Sequence, residues 1–337
     1  MKPYTYVSLF SSAGVGCFGF KEEKYDCVLT NELVERRMEV QKCNAKCSDP
    51  RGYLCGDITD PEIQKYALNY INEYKQNKKL KDMDVVVATP PCQGMSVANH
   101  KKAKDEIIRN SLVLEAIHLI SLIKPKVFIF ENVSAFMNTK CGKEGQERKI
   151  SEAIHEELDD LYKFESKIIN FKDYGAHSSR SRCLVLGVRK DVHLNIDDLW
   201  PSKENSKTMR DLIYSLPRLK IMGESYKSDI YHNFKSYKSH MRDWIKDLKP
   251  GENAFDNLDP LKRPHQIKDG ILIPNVNKNG DKYSRQIWDK TPPCIHTRND
   301  ILASQNTVHP EDDRVFSLRE LMIFMNIPEN FKWTNHT

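Results

Sequence analysis

The sequence predicts an α/β fold, a parallel sheet wrapped by helices and followed by a smaller, loop-rich region. Two observations carry this. The apolar runs "YTYVSLF", "YDCVLTNE", "DMDVVVAT", "KPKVFIFEN" and "RCLVLGVR" recur through the first half, separated by amphipathic or polar stretches, which is the rhythm of strands joined through helices. From about Lys190 that rhythm gives way to polar, aromatic, turn-rich segments such as "WPSKENSK" and "DGILIPNVNKNGDKYSRQIW". The expected division is a sheet domain over 1–189, a smaller loop-rich domain over 190–290 and a return segment over 291–337 that packs on the first.

Between the strands, "SLVLEAIHLISLIKP" repeats apolar residues at three and four and meets a proline near its end, so it reads as a helix. "RVFSLRELMIFMNIPENF" reads as a second, capped at Ser317 and stopped by Pro328. No run of about 18 apolar residues exists and the N-terminus lacks signal-peptide features, so the reading is a soluble cytoplasmic protein. Nine scattered cysteines, an odd number, suit free thiols rather than a disulfide framework. A net charge of +5 is compatible with a polyanionic partner without requiring one.

After the first apolar run comes "SSAGVG", Ser11 to Gly16, whose small residues let a ligand approach backbone at a strand-to-helix turn. Glu32 ends the second run, where a carboxylate can accept both hydroxyls of a ribose, and Asp57 in "CGDI" ends what would be a short strand after it. Together they outline a nucleoside pocket, although Glu32 and Asp57 could each be a plain helix cap. The run "DMDVVVAT" leads into "TPPCQGMS", which puts Cys92 on a loop beside Gly94, with a polar, basic lid-like stretch beyond it. A thiolate there is a nucleophile for an electron-poor carbon. Glu131 ends the next run as a candidate proton donor or acceptor, and Arg180 and Arg182 open the last, where a guanidinium can fix an anion or a carbonyl. A structural ion pair between Glu131 and either arginine is the alternative.

In this order the chain resembles the DNA (cytosine-5)-methyltransferase family from about Tyr6 to Trp333. "SLFSSAGVG" is similar to its cofactor loop, "PPCQGMS" to its nucleophile signature, "ENV" to its catalytic glutamate motif and "DYGAHSSRSR" to its arginine motif. The resemblance implies a Rossmann-like sheet that binds S-adenosyl-L-methionine through Phe10, Ser11, Ser12, Gly14, Glu32, Asp57, Ile58, Pro90 and Leu112. It implies a flipped cytosine in double-stranded DNA, attacked by Cys92 and held by Glu131, Arg180 and Arg182. Gln93, Ser96, Lys101, Lys102, Lys235, Lys238 and Arg242 are the candidate DNA contacts. The last three interleave with Tyr231, Phe234, Tyr237 and Trp244, a mixture that a solvated helix with an apolar stripe would also show.

Ser12 stands where many members have glycine, and Ser178 where the family usually has glutamine. The family's last motif has no counterpart, so a second polypeptide supplying it is the expectation, with a truncated form as the alternative. A cognate restriction endonuclease is a further expected partner. Transfer to tRNA and an inactive DNA-binding subunit are the competing functions. Cys43, Cys47 and Cys55 lack an obvious fourth ligand, so no metal is expected.

Overall fold

The computed structural model describes residues 3–91, 110–143, 145–276 and 281–334. They form two compact units, one of Met1–Ile169, Ser181–Pro201 and Asn330–Thr337, the other of Asn170–Arg180 and Ser202–Glu329.

In the first unit, strands β1 (Thr5–Leu9), β2 (Asp26–Glu32), β3 (Tyr53–Cys55), β4 (Val85–Ala88) and β5 (Val127–Asn132) are followed by a small ribbon of β6 (Lys140–Cys141) and β7 (Arg148–Lys149), then by β8 (Tyr162–Asn170) and β9 (Ser181–Arg189). The sheet runs β3-β2-β1-β4-β5-β9-β8. β1 to β5 are parallel, but β9 lies antiparallel to β5. The run "RCLVLGVR", expected to continue the parallel set, therefore enters reversed. No α-helix separates it from β8, only a 3-10 turn at Phe171–Asp173, so the chain has no crossover to restore direction. β8 gave no apolar run because it is an edge strand carrying charge: Lys163 is exposed and Lys167 pairs with Glu165 at 3.0 Å.

Helices α1 (Phe18–Glu22), α2 (Glu35–Cys43), α3 (Pro61–Lys78), α4 (Leu112–Ile123) and α5 (Ile150–Leu158) fill the connections. Strand alternation sorts side chains to two cores. Val86 and Ala88 of β4 bury with α3, α4 and α5, whereas Val85 and Val87 bury with Tyr6, Cys17, Cys27 and Cys47. α4 ends as its sequence predicts, with Lys124 in a left-handed conformation (φ 51°) just before Pro125. Among the described residues no helix is long and apolar enough to cross a membrane.

The second unit holds α6 (Met209–Ile213), a hairpin of β10 (Ser225–Tyr226) and β11 (Asp229–Asn233), α7 (His240–Ile245), a hairpin of β12 (His265–Lys268) and β13 (Ile271–Pro274), and α8 (Leu318–Phe324). Ser317 caps α8 in a reciprocal box with Glu320. Both boundaries differ from the sequence reading. Residues 190–201 stay with the sheet, where Trp200 donates to Glu165 at 2.7 Å under the Lys167 ammonium. The return segment belongs to the second unit through Glu329, because Phe316, Leu321 and Phe324 bury with Met209, Ile213 and Ile295. Only from Asn330 does the chain rejoin the first unit, where Asn44 and the Lys332 backbone exchange two hydrogen bonds of 2.8 and 2.9 Å.

Candidate active site

The carboxyl ends of β1 to β4 and the start of α4 surround a cleft of about 480 Å³, within the usual size of a small-molecule site. After β1 the backbone turns through positive φ at Phe10 (56°), Ser12 (48°) and Gly14 (83°). Glu32, at the end of β2, is buried and accepts the Ser12 N–H at 2.8 Å and the Val34 N–H at 3.0 Å, while Arg37 reaches it at 3.3 Å. One carboxylate thus ties the loop to the entrance of α2. After β3, Asp57 caps its own turn by accepting from Thr59 N and Oγ1, both at 2.9 Å, and Ile58 is buried beside it. Thr89 and Pro91 follow β4, and Leu112 opens α4.

The lining therefore includes Phe10, Ser12, Glu32, Asp57, Ile58 and Leu112. An acid beside apolar walls, with backbone bent close to it, suits a nucleoside. Ser11 is buried and donates to the Asn31 carbonyl at 2.9 Å, so it braces the loop from behind. Pro90 is buried too; the wall is Pro91. Asn31, Arg37 and Thr89 line the cleft without having been singled out in sequence, since each is an ordinary residue type placed there only by strand register and helix pitch.

Toward β5, Glu131 and Arg182 form an ion pair of 3.2 Å, with side chains 26% and 17% exposed. Antiparallel register makes this pairing: Glu131 lies opposite Leu184, two residues beyond Arg182 on β9. The structural ion pair anticipated as an alternative is thus the observed geometry for Arg182, while Arg180 belongs to the second unit. Asn132 donates to the Pro90 carbonyl at 2.9 Å and so anchors the backbone that leads to Cys92. Cys92, Gln93, Gly94, Ser96, Lys101 and Lys102 lie outside the described residues.

Every cysteine among the described residues is a free thiol. Burial pushes Cys141 up to about 11 and also raises Cys183, so both stay protonated at neutral pH. Cys43 and Cys55 are exposed while Cys47 faces Cys27 in the core, and no metal-holding group of His, Cys, Asp or Glu occurs among the described residues.

In the second unit Lys235 and Lys238 are exposed, Lys235 pairing with Asp300 at 3.2 Å, and Arg242 donates to the Lys220 carbonyl at 3.0 Å. The interleaved aromatics are largely structural. Phe234 and Trp244 are buried, Tyr237 packs on the same core and donates to the Asp313 carbonyl at 2.7 Å, and Tyr231 lies under Arg319. Their spacing followed an apolar stripe rather than a base-stacking surface.

The family model for C-5 cytosine-specific DNA methylases matches residues 4–337. The chain belongs to that family. This methylase is 27% identical to the type II methyltransferase M1.HgaI of Avibacterium volantium, over 98% of this chain and 90% of the relative. It is 26% identical to M1.HphI of Haemophilus parahaemolyticus, over 97% and 78%. Its fold matches a DNA modification methyltransferase encoded within an E. coli prophage, with a TM-score of 0.67 at 17% identity over 98% of this chain and 90% of that one. The S. pombe Dnmt2 methyltransferase gives 0.60 at 15% identity, over 100% and 90%. The methylase is thus a DNA cytosine-5 methyltransferase by family, on an α/β sheet shared with those structures.

Proposed function

We propose that this methyltransferase modifies carbon 5 of a cytosine in a specific duplex DNA sequence, using S-adenosylmethionine, as the modification half of a restriction-modification system with a cognate endonuclease. One observation carries the reading. Phe10, Ser12, Glu32, Asp57, Ile58 and Leu112, drawn from separate strand and helix ends, line a single cleft with Pro91, the chain neighbour of Cys92. The type II names of the relatives support the restriction-modification setting.

Glu32 would hold the ribose hydroxyls of the cofactor, Asp57 its adenine, and the bent loop its remaining polar end. Bound S-adenosylmethionine supplies an electrophilic methyl carbon. The target base is flipped out, because its ring carbons are inaccessible in the stack. The Cys92 thiolate would add to carbon 6, and the displaced electron pair would make carbon 5 a nucleophile toward the methyl carbon, whose bond to the sulfonium sulfur breaks with its electrons left on sulfur, so that S-adenosylhomocysteine departs. Glu131, oriented by Arg182, hydrogen-bonds the ring nitrogen and amino group, and Arg182 holds the ring carbonyl. A base then takes the carbon-5 proton; its electrons restore the double bond and expel the thiolate.

The test offers labelled S-adenosylmethionine with duplex DNA and with tRNA, to the wild type and to Cys92→Ala. Label should enter duplex DNA, and Cys92→Ala should lose at least about a thousandfold in rate. Label persisting on DNA in Cys92→Ala would sink the covalent route, and label entering tRNA instead would overturn the DNA substrate.

A further inference from the structure

We infer that Gln41, on α2 and outside every motif, is a positioning residue that sets the shape of the cofactor loop. The inference rests on the cofactor reading of the cleft. Two non-glycine residues of the loop, Phe10 and Ser12, sit at positive φ, a conformation that persists only where surroundings over-determine it. The Gln41 amide provides that constraint. Its nitrogen donates to the Ser12 carbonyl at 2.6 Å and to Ser11 Oγ at 2.8 Å, and its oxygen accepts from Thr30 Oγ1 at 2.7 Å. Gln41 is 1% exposed, so these bonds have no water to replace them.

The bonds form a directed chain. Lys46 Nζ donates to Ser8 Oγ and Thr30 Oγ1 at 3.0 and 2.9 Å, across a register pair of β1 and β2. Thr30 donates on to Gln41, Gln41 to Ser11, and Ser11 to the Asn31 carbonyl. Gly14 completes the fit, since a Cβ there would lie 3.0 Å from Gln41 Cγ. Arg37, one turn earlier on the same helix face, reaches the Glu32 carboxylate that accepts the Ser12 N–H. Ser12 is therefore held from both sides, its carbonyl by Gln41 and its N–H by Glu32. Releasing the first lets the loop and the ribose-facing carboxylate drift together.

The test compares wild type, Gln41→Met and Val40→Ala. Methionine keeps the volume but removes donor and acceptor; Val40 is buried on the same helix but belongs to none of these bonds. Two readouts are taken: S-adenosylhomocysteine affinity by calorimetry, and amide hydrogen exchange at Ser12 and Gly14 without cofactor. Gln41→Met should bind about tenfold or more weakly and exchange about tenfold or more faster at those amides. Its turnover at saturating cofactor should stay within about threefold. Val40→Ala should lower the melting temperature with affinity and loop exchange unchanged. Unaltered exchange at Ser12 and Gly14 in Gln41→Met overturns the positioning role. So does an equal loss of affinity in Val40→Ala, which marks a general effect of helix packing. A wild type that binds no S-adenosylhomocysteine while Gln41→Met still speeds exchange overturns the cofactor reading instead.

Discussion

At the rim of the first unit's sheet, Glu32 accepts two backbone N–H groups and one arginine and still faces a cleft. In the second unit, Arg314 and Glu320 meet side-on through two bonds of 2.9 Å, with side chains 2% and 1% exposed. Asp312 takes Arg314 on one oxygen and Arg218 on the other, and His309 accepts the Asp312 N–H at 2.9 Å. The acids are alike; their surroundings give them different work. A carboxylate at a strand end, held by backbone and open on one side, can take a ligand. One enclosed by arginines is committed to its own fold, and Arg314 brings Glu320 down to about 2 against the opposing effect of burial.

If that contrast holds, removing one partner of the enclosed pair should do the most damage. Arg314→Met leaves Glu320 buried and uncompensated and should cost about 3–5 kcal/mol in denaturant unfolding, whereas Arg314→Met with Glu320→Leu should recover much of it. An equal loss in both would place the cost in packing rather than charge.

The next effect is one of pH. His309 is brought down to about 4, from an ordinary 6.5, chiefly by burial. Its Nδ1 also accepts backbone N–H groups, which only the unprotonated nitrogen can do. Between those two values the unfolded chain binds a proton that the folded chain refuses, so stability falls as pH drops from 6.5 to 4. The loss should be on the order of 3 kcal/mol. Glu320 extends the decline below 4.5, the unfolded chain again protonating first. Unfolding curves of His309→Gln should be flat over the upper window; an unchanged slope would remove His309 from the account.

The open acid should behave otherwise. Glu32→Gln keeps the shape but halves the accepting capacity, and should weaken S-adenosylhomocysteine about 10–100-fold in calorimetry while costing about 1–3 kcal/mol of stability for the backbone N–H left without an acceptor. A large stability loss with unchanged affinity would make Glu32 a cap and nothing more. Smallest of all is the exposed pair of Lys235 and Asp300, with side chains 61% and 48% exposed. Lys235→Ala should change stability by less than about 0.5 kcal/mol, yet lower the salt dependence of DNA binding by roughly one ion if that lysine meets a phosphate.

Much of this was legible in the chain itself. The five apolar runs became strands, the helix before Pro125 stopped where its C-terminal signals indicate, and Ser317 with Glu320 capped α8. These are local properties: apolar period, capping chemistry and chain-breaking prolines act within a few residues. α3 also carried its signals, Asp60 before Pro61, but its weakly apolar surface hid it. What depended on distant partners was not readable. The reversal of β9 depends on β8, whose charges masked it, and it is this reversal that seats Arg182 against Glu131. The aromatics around Tyr237 had the composition of a nucleic-acid surface and the burial of a core, a difference that composition cannot carry.

By itself, then, the sequence determined the order of the five apolar strands and of the two helices with a clear apolar period, the residues at their ends and, through the motifs they compose, the family. Tertiary structure decided which of those ends share a cleft, which charges face one another, and that Gln41 reaches back thirty residues to hold Ser11. The physical reason is range. Backbone preference and amphipathic period are written over a turn or a strand, but whether a polar group is satisfied or left open to a ligand depends on what the fold packs against it.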